Sequence, residues 1–156
     1  MRLCLVLLLS VFWVAPSAVA DDQPLDLSLP NLDGELVSLA DYRGQWLVLN
    51  YWATWCRPCI KEFPELDALH DNHADVTVLG LNFENAEDER LKRFLEQNPV
   101  SFPILRVDVY EPPAQLGAPP GLPTTFLVDP DGLLRHTVTG LVSEASLLEA
   151  LGGLGR

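Results

Sequence analysis

Positive charge, sulfur and long apolar runs are all scarce in this sequence. Its 156 residues contain 10 lysines and arginines against 22 aspartates and glutamates, for a formal net charge of −12. Such an acidic chain repels phosphate backbones, which argues against a nucleic-acid partner. With 3 cysteines and 1 methionine, no cysteine-rich or methionine-rich tract supports a copper(I)-binding module, which stays only as an alternative.

The N-terminal segment, residues 1–20, has the composition of a secretory signal. A positive start at Arg2 precedes about a dozen apolar residues, and "APSAVA" ends in a small-x-small pattern. The apolar run is shorter than the roughly 20 residues that cross a bilayer. We predict cleavage after Ala20, loss of Cys4 with the signal, and an exported, periplasmic domain over residues 21–156. The alternative is a retained anchor, and only then would the protein contact a membrane.

The patterns that follow predict one α/β domain. "QWLVLNYW" is a continuous apolar run typical of a buried central strand, and a helix interrupted by Pro64 follows it. Asn85 and Ser143 are predicted to cap two further helices, the last ending at Gly152. The order is a β-hairpin, a β-α-β-α-β unit, a proline-rich irregular loop, a hairpin around residues 129–132 and a closing helix. This order implies a mixed sheet with helices on its faces.

The two cysteines of the mature chain lie where the central strand meets the first helix, in "WATWCRPCIKEFPEL". Unsatisfied N–H groups and the helix dipole favour an anion there. They lower the pKa of a thiol in a Cys-x-x-Cys pair from about 8.5 to roughly 3.5–7.5. Arg57 adds positive charge, and Pro58 presets φ for the first turn. Cys56 is therefore the predicted nucleophile.

Cys59 lies one helical turn further on and is predicted to be the resolving cysteine. Cys56 attacks a partner disulfide, and Cys59 then attacks Cys56 and releases the reduced partner. So small a loop adds little stability, which favours a redox disulfide over a structural one. The two cysteines carry the electrons, so no cofactor is expected. Oxidation of a partner is the alternative, and the reduction potential decides between the two directions.

Two histidines after the cysteines raise the possibility of a zinc site. His70 and His73 follow Cys59 at a spacing close to that of zinc fingers. The gap is shorter than usual, however, and the cysteines begin a helix that follows a buried strand. We expect both histidines to be solvated near the end of the helix and no metal to be bound.

The segment around the cysteines resembles the active site of exported thioredoxin-fold thiol–disulfide oxidoreductases of the TlpA/ResA-like branch. The likeness runs from "LSLPNLDGELVSLADYRGQWLVLNYWATWC" through "SFPILRVD" to "GLPTTFLVDPDGLLRHTVTG". It implies a three-layer thioredoxin-like fold, with a mixed central sheet, helices on both faces, an N-terminal β-hairpin and a β-α insert. It also implies a reductant of exported proteins, for example in cytochrome c maturation, that a membrane or periplasmic electron donor re-reduces.

The resemblance also implies which residues meet the partner. The bond between Leu122 and Pro123 is expected to be cis, and its loop to offer backbone to an extended partner segment. Trp55 is expected on the surface beside the nucleophile, where Arg57 and Pro58 also contact the partner.

A second set of implied roles concerns proton transfer. In this branch a glutamate at the position of Glu62 influences cysteine ionisation, and a buried carboxyl with a raised pKa could exchange a proton with Cys59. The alternative is that Glu62 has no role in proton transfer and its negative charge only interacts favourably with the positive end of the helix dipole. Asn50 stands where cytosolic thioredoxins carry a buried aspartate, and its amide cannot titrate. Trp52 is expected in the core.

Peroxiredoxins share the fold and the leading hairpin, so a peroxidase is a further alternative. Their nucleophilic cysteine follows a threonine three residues earlier. Here that position is Ala53, and the partner thiol lies within Cys-x-x-Cys. Both features favour disulfide exchange over peroxide reduction.

Overall fold

The computed structural model describes residues 23–156. The predicted signal segment, its cleavage site after Ala20 and Cys4 lie outside the described residues. Within residues 23–156, no helix has the length and apolar character needed to cross a membrane.

The described chain folds in the predicted order of elements. The first half consists of β1 Ser28–Pro30, β2 Leu36–Ser38, a 3₁₀ helix Leu39–Tyr42, β3 Trp46–Trp52, α1 Arg57–Asn72 and β4 Val76–Asn82. The second half consists of α2 Asp88–Gln97, β5 Ile104–Arg106, β6 Thr124–Val128, β7 Leu134–Thr139 and α3 Glu144–Gly153.

The central sheet has five strands in the order β5-β4-β3-β6-β7. The β3–β4 and β4–β5 pairs are parallel, whereas β3–β6 and β6–β7 are antiparallel. The predicted mixed sheet is therefore confirmed, and β3 is its central strand. Strands β1 and β2 form a separate antiparallel hairpin.

Residues of β3 alternate between two apolar clusters, one on each face of the sheet. Val48 and Trp52 join a cluster that contains residues from all three α-helices. Leu49 and Tyr51 face a second cluster, formed with the N-terminal hairpin and the 3₁₀ helix. The predicted layered fold is confirmed with one correction. Helices were expected on both faces of the sheet, but all three α-helices pack on one face, and the hairpin and the 3₁₀ helix cover the other. Two right-handed crossovers that step in the same direction across a sheet place α1 and α2 on the same face.

Local signals located most helix ends to within a residue or two. Ser143 caps α3 as predicted, and that helix ends at Gly153, one residue beyond the prediction. The prediction for α2 was wrong, because Glu87 rather than Asn85 is the N-cap and no side chain caps the helix. Helix α1 is continuous from Arg57 to Asn72 and includes Pro64.

Candidate active site

Cys56 and Cys59 lie at the N-terminus of α1 and are joined by a disulfide, with their sulfur atoms 2.05 Å apart. Cys56 is the N-cap residue and α1 begins at Arg57. Cys56 is 4% exposed and Cys59 is fully buried. Cys56 is therefore the more accessible of the two cysteines, and the fully buried Cys59 lies in the first turn of α1.

The backbone at this end of α1 is directed at the Cys56 sulfur. The Cys59 N–H donates a hydrogen bond to Cys56 Sγ, with a donor–acceptor distance of 3.3 Å. This N–H is one of the groups in the first helical turn that lack an intrahelical acceptor. Arg57 and Pro58 follow and are exposed. An anionic sulfur at Cys56 would receive the same hydrogen bond and the positive end of the helix dipole.

A buried carboxyl lies behind Cys59. Glu62 is only 1% exposed. Its Oε1 accepts from Asn50 Nδ2 at 2.8 Å, and its Oε2 accepts from the Val142 N–H at 3.0 Å. Burial raises the pKa of Glu62 from 4.5 to about 7, although the hydrogen bonds from Val142 and Asn50 oppose that rise. The carboxyl can therefore take up or release a proton near neutral pH.

Asn50 holds Glu62 from the adjoining strand. Asn50 and Thr125 are paired residues of β3 and β6, and Asn50 Nδ2 also donates to Thr125 Oγ1 at 3.0 Å. Both amide protons are thus used, while Asn50 Oδ1 has no partner. Within residues 23–156, it and Trp52 Nε1 are the buried side-chain polar atoms without a hydrogen bond.

A second carboxylate, which the sequence analysis missed, supports the strand-to-helix loop in front of Cys56. Glu84 is 7% exposed. Its Oε1 accepts from the Thr54 N–H at 2.8 Å and from Asn82 Nδ2 at 3.0 Å, while its Oε2 accepts from Thr54 Oγ1 at 2.9 Å. The available signal was "NFEN" at the end of β4, because the carboxyl ends of neighbouring parallel strands meet at one edge of the sheet.

Two of the predicted partner-contacting residues, Trp55 and Leu122, line one open cavity of about 490 Å³, whereas Arg57, Pro58 and Pro123 do not line it. Trp55 lines it and is 64% exposed, whereas Trp52 is fully buried in the core as expected. Leu122 also lines this cavity. The bond from Leu122 to Pro123 is cis, which confirms that prediction.

The two histidines lie far from the cysteines. His70 is eleven residues beyond Cys59 on α1, which corresponds to about 16 Å along the helix. Contrary to the expectation of solvated side chains, both are partly buried and hydrogen-bonded: His70 Nδ1 accepts from the Val78 N–H, and His73 Nε2 lies 3.2 Å from Glu144 Oε1. In the part of the chain that is described, no group of three or more His, Cys, Asp or Glu side chains is placed to hold a metal ion.

Comparison with known sequences identifies relatives over most of the chain. The model of the AhpC/TSA family matches residues 20–137. Thioredoxin-like protein YneN of Bacillus subtilis is 33% identical over 132 residues, which are 83% of this chain and 76% of that protein. Thiol-disulfide oxidoreductase ResA of Geobacillus thermodenitrificans is 32% identical over 136 residues, which are 86% of this chain and 76% of that protein.

Solved structures agree with the sequence comparison. A Chlorobium tepidum protein assigned as thiol:disulfide interchange protein DsbE is 30% identical with a TM-score of 0.72, over 86% of this chain and 96% of that chain. A DsbF homologue from Corynebacterium diphtheriae is 26% identical with a TM-score of 0.71, over 90% of this chain and 97% of that chain.

Proposed function

The chain belongs to the AhpC/TSA family and to its thioredoxin-like thiol–disulfide oxidoreductases, and we propose that it reduces disulfides in exported partner proteins through Cys56 and Cys59. The observation that carries the proposal is the disulfide at the N-terminus of α1, with the buried carboxyl of Glu62 one helical turn after Cys59. A nucleophile, a resolving thiol and a proton acceptor are thus present on a single helix.

The reduced protein starts the reaction with a thiolate at Cys56. The thiolate attacks one sulfur of the partner disulfide, forms a mixed disulfide and expels the other partner sulfur as a thiolate. The Cys59 thiol then loses its proton, attacks Cys56 Sγ and releases the second partner sulfur. Two electrons pass to the partner, and the Cys56–Cys59 disulfide seen in the structure is the oxidised product.

Glu62 is the group proposed to accept the Cys59 proton. Its pKa of about 7 matches the pH at which a general base works best. Once protonated, its O–H needs an acceptor. Asn50 lies within hydrogen-bonding distance of Glu62 Oε1, and rotation of its amide would present the otherwise unpartnered Oδ1 to that proton. Asn50 is thus a positioning residue for either protonation state of Glu62.

The partner is proposed to bind along the cavity between Trp55 and Leu122, with Arg57 and Pro58 beside the attacked sulfur. An extended segment can pair with backbone beside the cis Leu122–Pro123 bond. The composition of residues 1–20 supports export to the periplasm. A membrane or periplasmic dithiol donor is proposed to restore the reduced form, and cytochrome c maturation is the proposed setting.

The test is to trap the partner on a variant that lacks the resolving thiol. We expect Cys59→Ser, expressed with its own signal segment, to accumulate mixed disulfides through Cys56 that dithiothreitol releases. The purified wild type should catalyse dithiothreitol-dependent reduction of insulin without consuming peroxide.

Cys56→Ser is the matched control and should neither trap a partner nor reduce insulin. Turnover by Cys56→Ser would contradict the assignment of the nucleophile. Peroxide consumption without insulin reduction would indicate a peroxidase instead, even though Ala53 occupies the position of the peroxiredoxin threonine.

A further inference from the structure

The basic residues of this acidic chain divide into two groups within residues 23–156. One group is engaged in ion pairs or, in the case of Arg43, in hydrogen bonds to backbone carbonyls: Arg43, Lys92, Arg106, Arg135 and Arg156. The other group makes no ion pair in the described part of the chain, and of its members only Arg90 is hydrogen-bonded, to Thr54 Oγ1: Arg57, Lys61, Arg90 and Arg93. All four of these side chains belong to exposed residues.

Three of these four cations lie beside Cys56 or Trp55. Arg57 adjoins Cys56, and Lys61 lies four residues on, on the same side of α1. On α2, Arg90 and Arg93 line a shallow cavity of about 340 Å³ together with Trp55. Arg90 also lines the larger cavity that contains Leu122, and its guanidinium lies 3.4 Å from Thr54 Oγ1. We call this surface the basic face.

Some of the nearby acidic residues bind other groups, whereas the exposed Glu87 and Glu96 lie three residues from Arg90 and Arg93. Asp88 pairs with Arg106 at 3.3 Å. Glu89 and Asp88 act electrostatically on Lys92, whose amine binds Asp33 in the N-terminal hairpin. Glu84 lines the larger cavity, but its oxygens already accept three hydrogen bonds from Thr54 and Asn82.

We infer that the basic face around Trp55 is a docking surface for an acidic segment of the disulfide-bearing partner. The inference rests on the proposed function and specifies the partner's chemistry. In a chain with a net charge of −12, unpaired cations collected beside the nucleophile oppose the overall charge locally. Such local complementarity raises association rates and orients the encounter.

Two other binding partners, an anionic membrane and a second copy of this chain, fit the basic face less well. An anionic membrane is a broad surface, which the net charge of −12 would repel as a whole. A second copy of this chain would bring the same net charge to the contact. A short acidic segment near a disulfide interacts mainly with charges within a Debye length, about 8 Å at physiological salt, and therefore with the basic face.

The experiment uses three disulfide peptides that differ only in the residues flanking one Cys-Ala-Ala-Cys bridge. The flanks are two glutamates, two lysines or two serines on each side. Single-turnover reduction by the reduced protein is followed by acid quench and alkylation at about 0.15 M ionic strength, where the Debye length is about 8 Å. We expect the glutamate peptide to react about tenfold faster than the lysine peptide, and the ratio to approach one in 1 M salt, where the Debye length is about 3 Å.

Two variants with the same change in charge test whether the effect is local. Arg93→Glu should lower the glutamate-to-lysine rate ratio at least threefold. Lys92→Glu, on the side of α2 that faces the hairpin, should leave the ratio within twofold of wild type. Equal rates with the three peptides would overturn the inference, as would an equal effect of the two variants.

The remaining outcomes separate this inference from the proposed function. If the protein reduces none of the peptides, including the serine peptide, the proposed function fails. If it reduces all three equally, only the docking surface fails. The inference would also be overturned if the protein showed no peptide selectivity but bound phosphatidylglycerol vesicles, or dimerised in sedimentation, and Arg93→Glu abolished that binding. The basic face would then bind a membrane or a second copy of the chain.

Discussion

Two buried glutamates flank the disulfide, and the fold surrounds them differently. Glu62, three residues after Cys59 on α1, is buried and accepts one hydrogen bond on each oxygen. Glu84, which supports the loop before Cys56, accepts three hydrogen bonds from Thr54 and Asn82. Burial raises the pKa of Glu62 to about 7, whereas the three hydrogen bonds of Glu84 fix its position against Thr54 and Asn82.

We propose different tasks for the two carboxyl groups on the basis of this difference. Glu62 is suited to exchange a proton with Cys59, because its charged form is only weakly compensated. Glu84 is suited to hold Thr54, and through it the loop that carries Trp55 and Cys56. Five predictions test this division, beginning with the largest expected effect.

Glu84→Ala should lower the free energy of unfolding by about 4 kcal/mol, since it leaves buried donors of Thr54 and Asn82 without an acceptor. Urea unfolding of the oxidised protein measures this. Exchange with a small disulfide should also slow, because the loop before Cys56 loses its support.

Asn85→Ala is the matched control for this prediction. Asn85 is the exposed neighbour of Glu84 in the same loop, and its substitution should change stability by less than about 0.5 kcal/mol. If Glu84→Ala unfolds within 1 kcal/mol of wild type, Glu84 does not support the loop.

Glu62 should make the folded protein less stable as the pH rises from 4.5 to about 7. Its pKa is higher in the folded state, so the folded state binds more protons across this window and the free energy of unfolding falls as pH increases. A shift of this size corresponds to about 3 kcal/mol. Glu62→Gln, which cannot ionise, should remove that part of the slope in urea unfolding of the oxidised protein.

The same variant tests proton transfer in the reduced protein. Resolution of the mixed disulfide by Cys59 should slow by about 10²-fold at pH 7 and lose its rise between pH 6 and 8. Glu96→Gln, an exposed change of equal charge on α2, should retain both pH dependences. A Glu62→Gln protein with the wild-type stability slope would show that Glu62 is not the titrating group.

The sequence predicted Glu62 but not Glu84, for physical reasons. Helical spacing relates Glu62 to Cys59 within one element, so local periodicity is sufficient. Glu84 reaches Thr54 only because β4 lies parallel to β3, in the register that pairs Asn82 with Trp52. The Val142 N–H reaches Glu62 from 80 residues away in the sequence, and no local pattern indicates such a contact.

The fold was predictable to a similar extent. The order of strands and helices followed from apolar runs, turn residues and caps, because each of these signals is local. Local signals did not predict what covers the second face of the sheet. There the hairpin and the 3₁₀ helix Leu39–Tyr42 pack where an α-helix was expected. The basic face was missed as well, because it depends on which cations find carboxylate partners in three dimensions.

Thr54 and Thr125 provide the most sensitive comparison, because each belongs to the hydrogen-bond network of only one of the two carboxyl groups. Thr54 donates to Glu84, and Thr125 accepts from Asn50, which in turn donates to Glu62. Thr54→Val removes the hydroxyl that binds Glu84, and Thr125→Val removes the hydroxyl that accepts from Asn50. Each should cost about 1 kcal/mol in urea unfolding.

The hydrogen-bond networks of Glu62 and Glu84 should be energetically independent in double-mutant cycles. Thr54→Val combined with Glu84→Gln should show a coupling energy of at least about 0.5 kcal/mol, since the two side chains share a hydrogen bond. Thr125→Val combined with Glu84→Gln should be additive to within about 0.3–0.5 kcal/mol, as expected of sites with no shared partner. Strong coupling in the second cycle would mean that the carboxyl groups on the two sides of the disulfide form one network, and a proton on Glu62 would then also alter the loop before Cys56.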